Sequence, residues 1–251
     1  MYDYTVITVV KNNRCGIETT INSVLSQKDI SIEYIVIDCN STDGTSEIIN
    51  RYRQKLTHLR EKDEGLYDAL NKGIALSKGE YICLLHSNDV YASNNILKEN
   101  YNFLKSNNYD GSFANINIFK EKKLYRKWRY KIKKINKFNS FLIAHPSLVL
   151  KRKIYEELKL KYKIEYQISS DLDFIINLNK IKQLKIMHFD RFISNCQHGG
   201  LSTDIAHFKL KTIEDIKILK EHFKYIYFFI YLIKLVSKLK NFLFKIYLFR
   251  K

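Results

Sequence analysis

Between Glu80 and Tyr91 a short apolar run, Tyr81–Leu85, gives way to the polar cluster His86-Ser87-Asn88-Asp89. A run of that length, bounded by Gly79 and His86, fits a strand buried on both faces of a parallel sheet and is too short for an ordinary helix. In open α/β sheets ligands gather beyond the carboxyl ends of the strands, which puts Asp89 where chemistry is expected. A carboxylate there can hold a hard divalent cation against a phosphate. The same residue could equally cap the helix expected from Ser93, since Asp is a favoured N-cap.

The preceding residues repeat this unit. Strand patterns at Tyr4–Val10, Tyr34–Asp38 and His58–Arg60 alternate with helix patterns at Ile17–Gln27, Ser46–Lys55 and Leu66–Ser77. Strands separated by helices at this spacing predict a parallel, doubly wound sheet. Beyond Ser93–Lys105, expected as a helix, the rhythm loosens. Gly111–Phe119 and Leu184–Phe189 read as strands, and Lys151–Leu158, Ser170–Asn179 and Asp204–Glu221 as helices. Lys120–Lys137 fits either a hairpin or a mobile loop. With no repeat or linker in the chain, the expected organisation is one domain over 1–221 and a helical tail over 222–251.

The net charge of +17 is unevenly placed. Lys120–Lys134 has Glu121 as its only acid, and His222–Lys251 has none. Such charge suits nucleic acid, anionic lipid or a phosphorylated substrate, or is simply a solvated surface. The four cysteines include no C-x-x-C pair, which favours a reducing compartment and offers no zinc spacing. Met1–Tyr4 lacks a basic signal-peptide region, and the apolar run Tyr225–Ile233 is far shorter than the roughly 20 residues of a membrane span. In the tail, Lys234, Lys238 and Lys245 share one helical face, opposite Leu232, Val236, Leu239, Leu243 and Ile246. That pattern predicts an interfacial helix on an anionic membrane, with packing on the domain or a homodimer contact as alternatives.

Two strands end in acids, Asp38 and Asp89, and Asp68 lies on the intervening helix. Carboxylates at neighbouring strand ends suit a nucleotide diphosphate, one accepting from base or ribose and another holding a metal. The chain has neither G-x-G-x-x-G after its first strand nor G-x-x-x-x-G-K-[ST], which excludes a Rossmann dehydrogenase and a P-loop NTPase. No named DNA- or RNA-binding motif accompanies the basic charge, so nucleic acid is not expected as a partner.

The order Thr5–Asn12, Ser23–Gln27, Ile35–Thr45, Gly65–Gly73 and Gly79–Asp89 resembles the inverting family 2 glycosyltransferases of the GT-A fold, within them the bacterial surface-polysaccharide branch that includes colanic-acid enzymes. The resemblance runs over about residues 4–202. It implies a Rossmann-like, mostly parallel sheet flanked by helices, a nucleotide-sugar donor (UDP-linked above all) and a glycan or lipid-linked acceptor. It also implies a Mn²⁺ or Mg²⁺ cofactor and a cytoplasmic enzyme on the inner face of a bacterial plasma membrane.

Position by position, the resemblance implies that Val9 touches the nucleotide through its backbone and that Asp38 recognises base or ribose. Asp68, Asn71 and Asn88 would meet the nucleotide or donor sugar. Asp89 closes the metal motif, with Ser87 and Asn88 where relatives carry further acids, and Cys39 stands where many carry a second acid. Asp171 would be the base, with Asp173 ranked behind it. His145 would line the sugar pocket, and His198, before Gly199-Gly200, would be a further metal or diphosphate ligand. With Ser87 and Asn88 in the metal motif, a catalytically impaired scaffold is the alternative.

Overall fold

The computed structural model describes residues 1–136, 138–157, 159–181, 183–199 and 205–236. Its centre is a nine-stranded sheet in the order β3-β2-β1-β4-β8-β6-β9-β5, with β7 paired to β6. The strands β1 (Tyr4–Val10), β2 (Ile32–Asp38), β3 (Thr57–Arg60) and β4 (Tyr81–Leu84) are mutually parallel. Val10 lies opposite Asp38, and Asp38 opposite Arg60, so their carboxyl ends share one edge. The second half adds β5 (Val90–Tyr91), β6 (Gly111–Lys120), β7 (Lys123–Trp128), β8 (Leu148–Lys151) and β9 (Ile186–Gln197). β8 runs antiparallel between β4 and β6, and β9 runs parallel to β6.

Alternation along β1 shows how the sheet is covered. Tyr4, Val6 and Val10 pack with α1 (Arg14–Leu25), α2 (Thr45–Asn50) and α4 (Ile96–Ser106) on one face. Ile7 and Val9 pack with α3 (Leu66–Leu76), α5 (Arg152–Glu157) and α6 (Ser170–Leu178) on the other. A strand buried on both faces has no polar side to spare, which is why the first half reads as continuous apolar runs. A smaller cluster joins Leu172 and Ile176 of α6 to Ile218, Leu219 and Phe223 of α7 (Phe208–Phe223) and to Ile230.

Four expectations are corrected. Helix α1 begins at Arg14, where Asn13 caps it by accepting the Gly16 N–H at 3.0 Å. Helix α2 ends at Asn50 rather than Lys55. Strand β9 extends to Gln197, because Asp190 and Arg191 form a bulge between the residues opposite Ala114 and Asn115 and hide the strand period. Helix α7 starts at Phe208, and residues 201–204 lie outside the described residues.

Of the alternatives for the basic stretch, a hairpin is formed. Glu121 and Lys122, at φ 50° and 65°, make its two-residue turn between Lys120 and Lys123. Both central residues in the left-handed region is the signature of a type I′ turn.

The start of the tail packs onto the domain instead of separating at 222. A helix over 227–236 buries Ile230, and Lys234 Nζ lies 2.8 Å from Asp215 with both side chains buried. Lys234 therefore faces inward, whereas Phe228, Phe229, Ile233 and Val236 are exposed. Lys238, Leu239, Leu243, Lys245 and Ile246 lie outside the described residues. Among the described residues no helix is long and apolar enough to cross a membrane.

Candidate active site

The turn after β4 is held from three directions. Asn88, exposed and at φ 79°, donates its N–H to Thr20 Oγ1 at 2.8 Å, and that hydroxyl donates to the Asp89 carbonyl at 2.9 Å. Helix α1 can come this close because Gly16 lacks a side chain: a Cβ there would stand 2.7 Å from the Asn88 Cβ. Antiparallel pairing of Val90 with Asn195 then brings β9 alongside, and the Gln197 N–H donates to Asp89 Oδ1 at 2.8 Å.

Asp89 is 7 % exposed. Burial pushes its carboxyl up to about 6 against the Gln197 hydrogen bond. Its bonded partners are the Gln197 N–H and the Cys196 thiol, neither of them a counter-charge, so the buried carboxylate is costly and a cation would satisfy it. The donor chemistry fits Mn²⁺ or Mg²⁺, with Asp89 as a protein oxygen ligand.

Three side chains converge beside this turn. His145 Nδ1 lies 3.1 Å from Asp171 Oδ2, and His145 Nε2 lies 2.7 Å from His86 Nε2. The two imidazole rings meet edge to face at 5.0 Å. Asp171 Oδ1 accepts the Leu172 N–H at 2.9 Å. Burial pushes the Asp171 carboxyl up, but His145, with Lys211 and Lys234 more distant, outweighs it and holds Asp171 well below the usual carboxylate range. For His86, burial and then His145 push the ring down to about 3, so it is neutral at pH 7. His145 also lowers the proton affinity of Asp89 electrostatically.

Asp171 sits in the first turn of α6, and the backbone before it is fixed by other elements. Glu214 of α7 accepts the N–H groups of Gln167, Ile168 and Ser169 at 2.8, 3.0 and 2.9 Å. Tyr67 of α3 donates its hydroxyl to the Ile168 carbonyl at 2.6 Å.

Several expected contacts lie elsewhere. Val9, the next-to-last residue of β1, lies opposite Ile37 and is 8 % exposed. The Asp38 carboxylate is fully buried; Ser41 N–H donates to it at 2.9 Å, the Ser46 hydroxyl donates to its other oxygen, and His58 and Arg60 flank it. These bonds make it the organiser of the loop between β2 and α2. Asn71 is engaged at both ends: its amide donates to the Tyr162 carbonyl at 2.7 Å and accepts the Tyr162 N–H at 2.9 Å. Asp68 pairs with Lys72 at 3.0 Å and accepts the Glu64 N–H.

His198 directly follows Gln197, whose N–H bonds Asp89. The His198 ring packs on Tyr125 of the β7 hairpin at 4.9 Å and its N–H donates to the Phe119 carbonyl. Neither contact is at Asp89. Asp173 is 1 % exposed and bound to His222 at 2.7 Å and Lys163 at 3.3 Å. Asp173, Glu221 and His222 form a metal-sized donor group, but Lys163 lies 3.3 Å from both acids and offsets part of their charge.

Sequence reasoning passed over His86, Gln197 and Glu214. His86 had a signal, since it is the first polar residue past β4 and the strand-end argument made for Asp89 covers it. Gln197 acts through its backbone, and Glu214 from a distant helix, so neither leaves a pattern in the sequence.

The mostly parallel α/β sheet flanked by helices, with Asp89 in the turn after β4 and Asp171 in the first turn of α6, has the architecture of the GT-A glycosyltransferases. The glycosyl transferase family 2 model matches residues 5–167, and the chain belongs to that family of glycosyltransferases. An uncharacterized glycosyltransferase of Methanocaldococcus jannaschii is 26% identical over 223 residues, covering 83% of this chain and 74% of that protein. TuaG of Bacillus subtilis, a glycosyltransferase named for teichuronic acid biosynthesis, is 35% identical over 99 residues, 38% of this chain and 39% of TuaG.

Among solved structures, Staphylococcus aureus TarS 1–349 in complex with UDP superposes with a TM-score of 0.70 at 17% identity, covering 88% of this chain and 66% of that one. A mannosyltransferase of Pyrobaculum calidifontis, in complex with GDP-Man and Mn²⁺, gives 0.61 at 18% identity, covering 88% and 63%. Both likenesses concern the fold. This chain spans about two fifths of TuaG and under two thirds or so of these structures.

Proposed function

We propose that this glycosyltransferase moves a sugar, with inversion, from a UDP-linked donor to a hydroxyl of a surface polysaccharide or lipid-linked oligosaccharide. The observation that carries this reading is the pair of carboxylates in unlike states. Asp89 is buried without a bonded counter-charge, and Asp171 is kept ionised by His145. Carboxyl groups whose surroundings push their proton affinities apart take different chemical roles.

In this reading Asp171 accepts the proton of the acceptor hydroxyl as its oxygen bonds to the anomeric carbon. The bond from that carbon to the diphosphate oxygen breaks, its electron pair leaving with the diphosphate on the opposite face. Asp89 would hold the Mn²⁺ or Mg²⁺, which when bound neutralises charge on the diphosphate. Donor classes printed for structural neighbours, UDP, UDP-GlcNAc and GDP-Man, support a nucleotide-diphosphate sugar, and the name of TuaG supports a cell-surface glycan.

The exposed aromatic face at Phe228 and Phe229, beside an acid-free basic tail, supports peripheral attachment to an anionic inner membrane surface, where a lipid-linked acceptor would reside. A homodimer contact through that face is the competing use.

The test is thermal shift with UDP, GDP, CDP and ADP, each with and without Mn²⁺. Stabilisation by UDP that requires Mn²⁺ is the expected result, and indifference to every nucleotide refutes the reading.

A further inference from the structure

The path from Asp171 to His86 has a fixed polarity. Asp171 is a carboxylate and can only accept, so the His145 nitrogen facing it, Nδ1, carries a proton and donates. On the other side of the ring, two Nε2 atoms 2.7 Å apart share a single proton. Either His86 donates to a bare His145 Nε2, or a doubly protonated His145 donates to His86. Both cases keep the proton on His145 Nδ1.

We infer that His145 is a positioning residue for the base Asp171, and that His86 locks the ring of His145 in the orientation that allows it. The inference rests on the base role given to Asp171 above. With Oδ2 tied to His145 and Oδ1 to the Leu172 N–H, the carboxylate cannot rotate without breaking a bond. Tyr67 comes within 3.4 Å of Oδ1 but spends its hydrogen on the Ile168 carbonyl. Each carboxylate oxygen has two acceptor sites, so capacity remains for a hydroxyl proton. The arrangement is the hydrogen-bonded orientation of a catalytic group by a second side chain, here with the carboxylate as base and imidazole as its holder.

The titratable and charged groups that act on Asp171 are His145 with His86 behind it, Tyr67 of α3, Tyr162, and Lys211 and Lys234 from the C-terminal helices. Among them only His145 bonds the carboxylate with a proton of its own. Removing it should raise the proton affinity of Asp171 and free its rotation together.

Two measurements on the full chain decide the matter. In imidazole ¹⁵N–¹H correlation spectra at pH 7.5, His145 Nδ1 is expected to be protonated, with its resonance displaced in Asp171→Asn; a bare Nδ1 overturns the inference whether or not the chain transfers sugar. In kinetics, UDP release from a panel of UDP-sugars should fall about 100-fold in kcat for His145→Ala, the low end of what a positioned base contributes. The donor KM should stay unchanged and the acid limb should move to higher pH. His145→Asn, whose amide can donate from near the Nδ1 position, should recover most of the loss. An unshifted pH profile in His145→Ala overturns the positioning role. Absence of any nucleotide binding by the wild-type chain overturns the transferase reading, and the positioning role with it.

Discussion

The carboxylate of Glu214 on α7 accepts the N–H of Ser169 at 2.9 Å, two residues ahead of Asp171. Because it also takes the N–H groups of Gln167 and Ile168, one side chain from the C-terminal part of the chain sets the start of α6. Glu214→Gln replaces one accepting oxygen by an NH₂ group and leaves at least one of the three N–H groups unpaired, at a cost of about 1–3 kcal/mol. Urea unfolding should show that loss. Transfer assays should show kcat falling more than donor KM, since the base moves and the donor does not. Unchanged kcat in a destabilised variant would confine Glu214 to stability.

Asn71 stands in the motif that resembles donor-binding residues, yet its amide is spent on the Tyr162 backbone. Asn71→Ala is therefore expected to cost about 1–3 kcal/mol in denaturant titration, as the partner N–H and C=O lose their bonds. UDP affinity, measured by calorimetry well below the unfolding midpoint, should change less than about threefold. A large affinity loss with intact stability would return Asn71 to the donor site.

Asp89 links cation binding to pH. Its folded carboxyl is raised to about 6, above the ordinary carboxylate value, so the ionised form opposes folding of the ligand-free protein. Stability should rise as pH falls through 6, where the folded state takes up a proton that the unfolded state does not yet bind. Asp89→Asn should stabilise the ligand-free protein at pH 7–8 by up to about 3 kcal/mol, given ~1.4 kcal/mol per pK unit. The same variant should lose the Mn²⁺-dependent UDP shift, and in the wild type that shift should fade below pH 6, because a metal ligand must be deprotonated. Equal Mn²⁺ dependence at pH 5 and pH 8 would remove Asp89 from the metal.

The C-terminal helix offers a separate test. Phe228→Glu with Phe229→Glu should abolish cosedimentation with vesicles containing phosphatidylglycerol while leaving UDP binding intact. Retained cosedimentation refutes the interfacial role. A change of molecular mass in light scattering, without any vesicle binding in the wild type, assigns the face to a second copy of the chain.

The first half of the fold was legible because β1, β2 and β4 are buried on both faces and are mostly apolar, with Thr5, Thr8 and Glu33 the few polar residues ahead of Asp38. The site was less so. Asp89, Asp171 and His145 stand at strand or helix ends where position alone implies chemistry. Asp38 ends β2 and Asn71 lies in the middle of α3, and only the geometry reveals Ser41, Ser46 and the Tyr162 backbone as their partners. His198 was drawn toward the metal by its neighbouring glycines, whereas pairing of β6 with β9 carries it to Phe119 and Tyr125. Lys234 reads in the sequence as a membrane-facing charge on an amphipathic helix because its partner, Asp215, is nineteen residues away on another helix. Pairings of this kind leave no local period to read.

The pairing of β5 with β9 has a consequence for how the protein comes into being. Nearly every motif lies before residue 90, yet the N–H donated to Asp89 belongs to residue 197. During synthesis the ribosome must release more than a hundred further residues before that turn acquires its tether. A nascent chain carrying all the family's hallmarks is still an open half-sheet, and competence arrives late, when β9 docks.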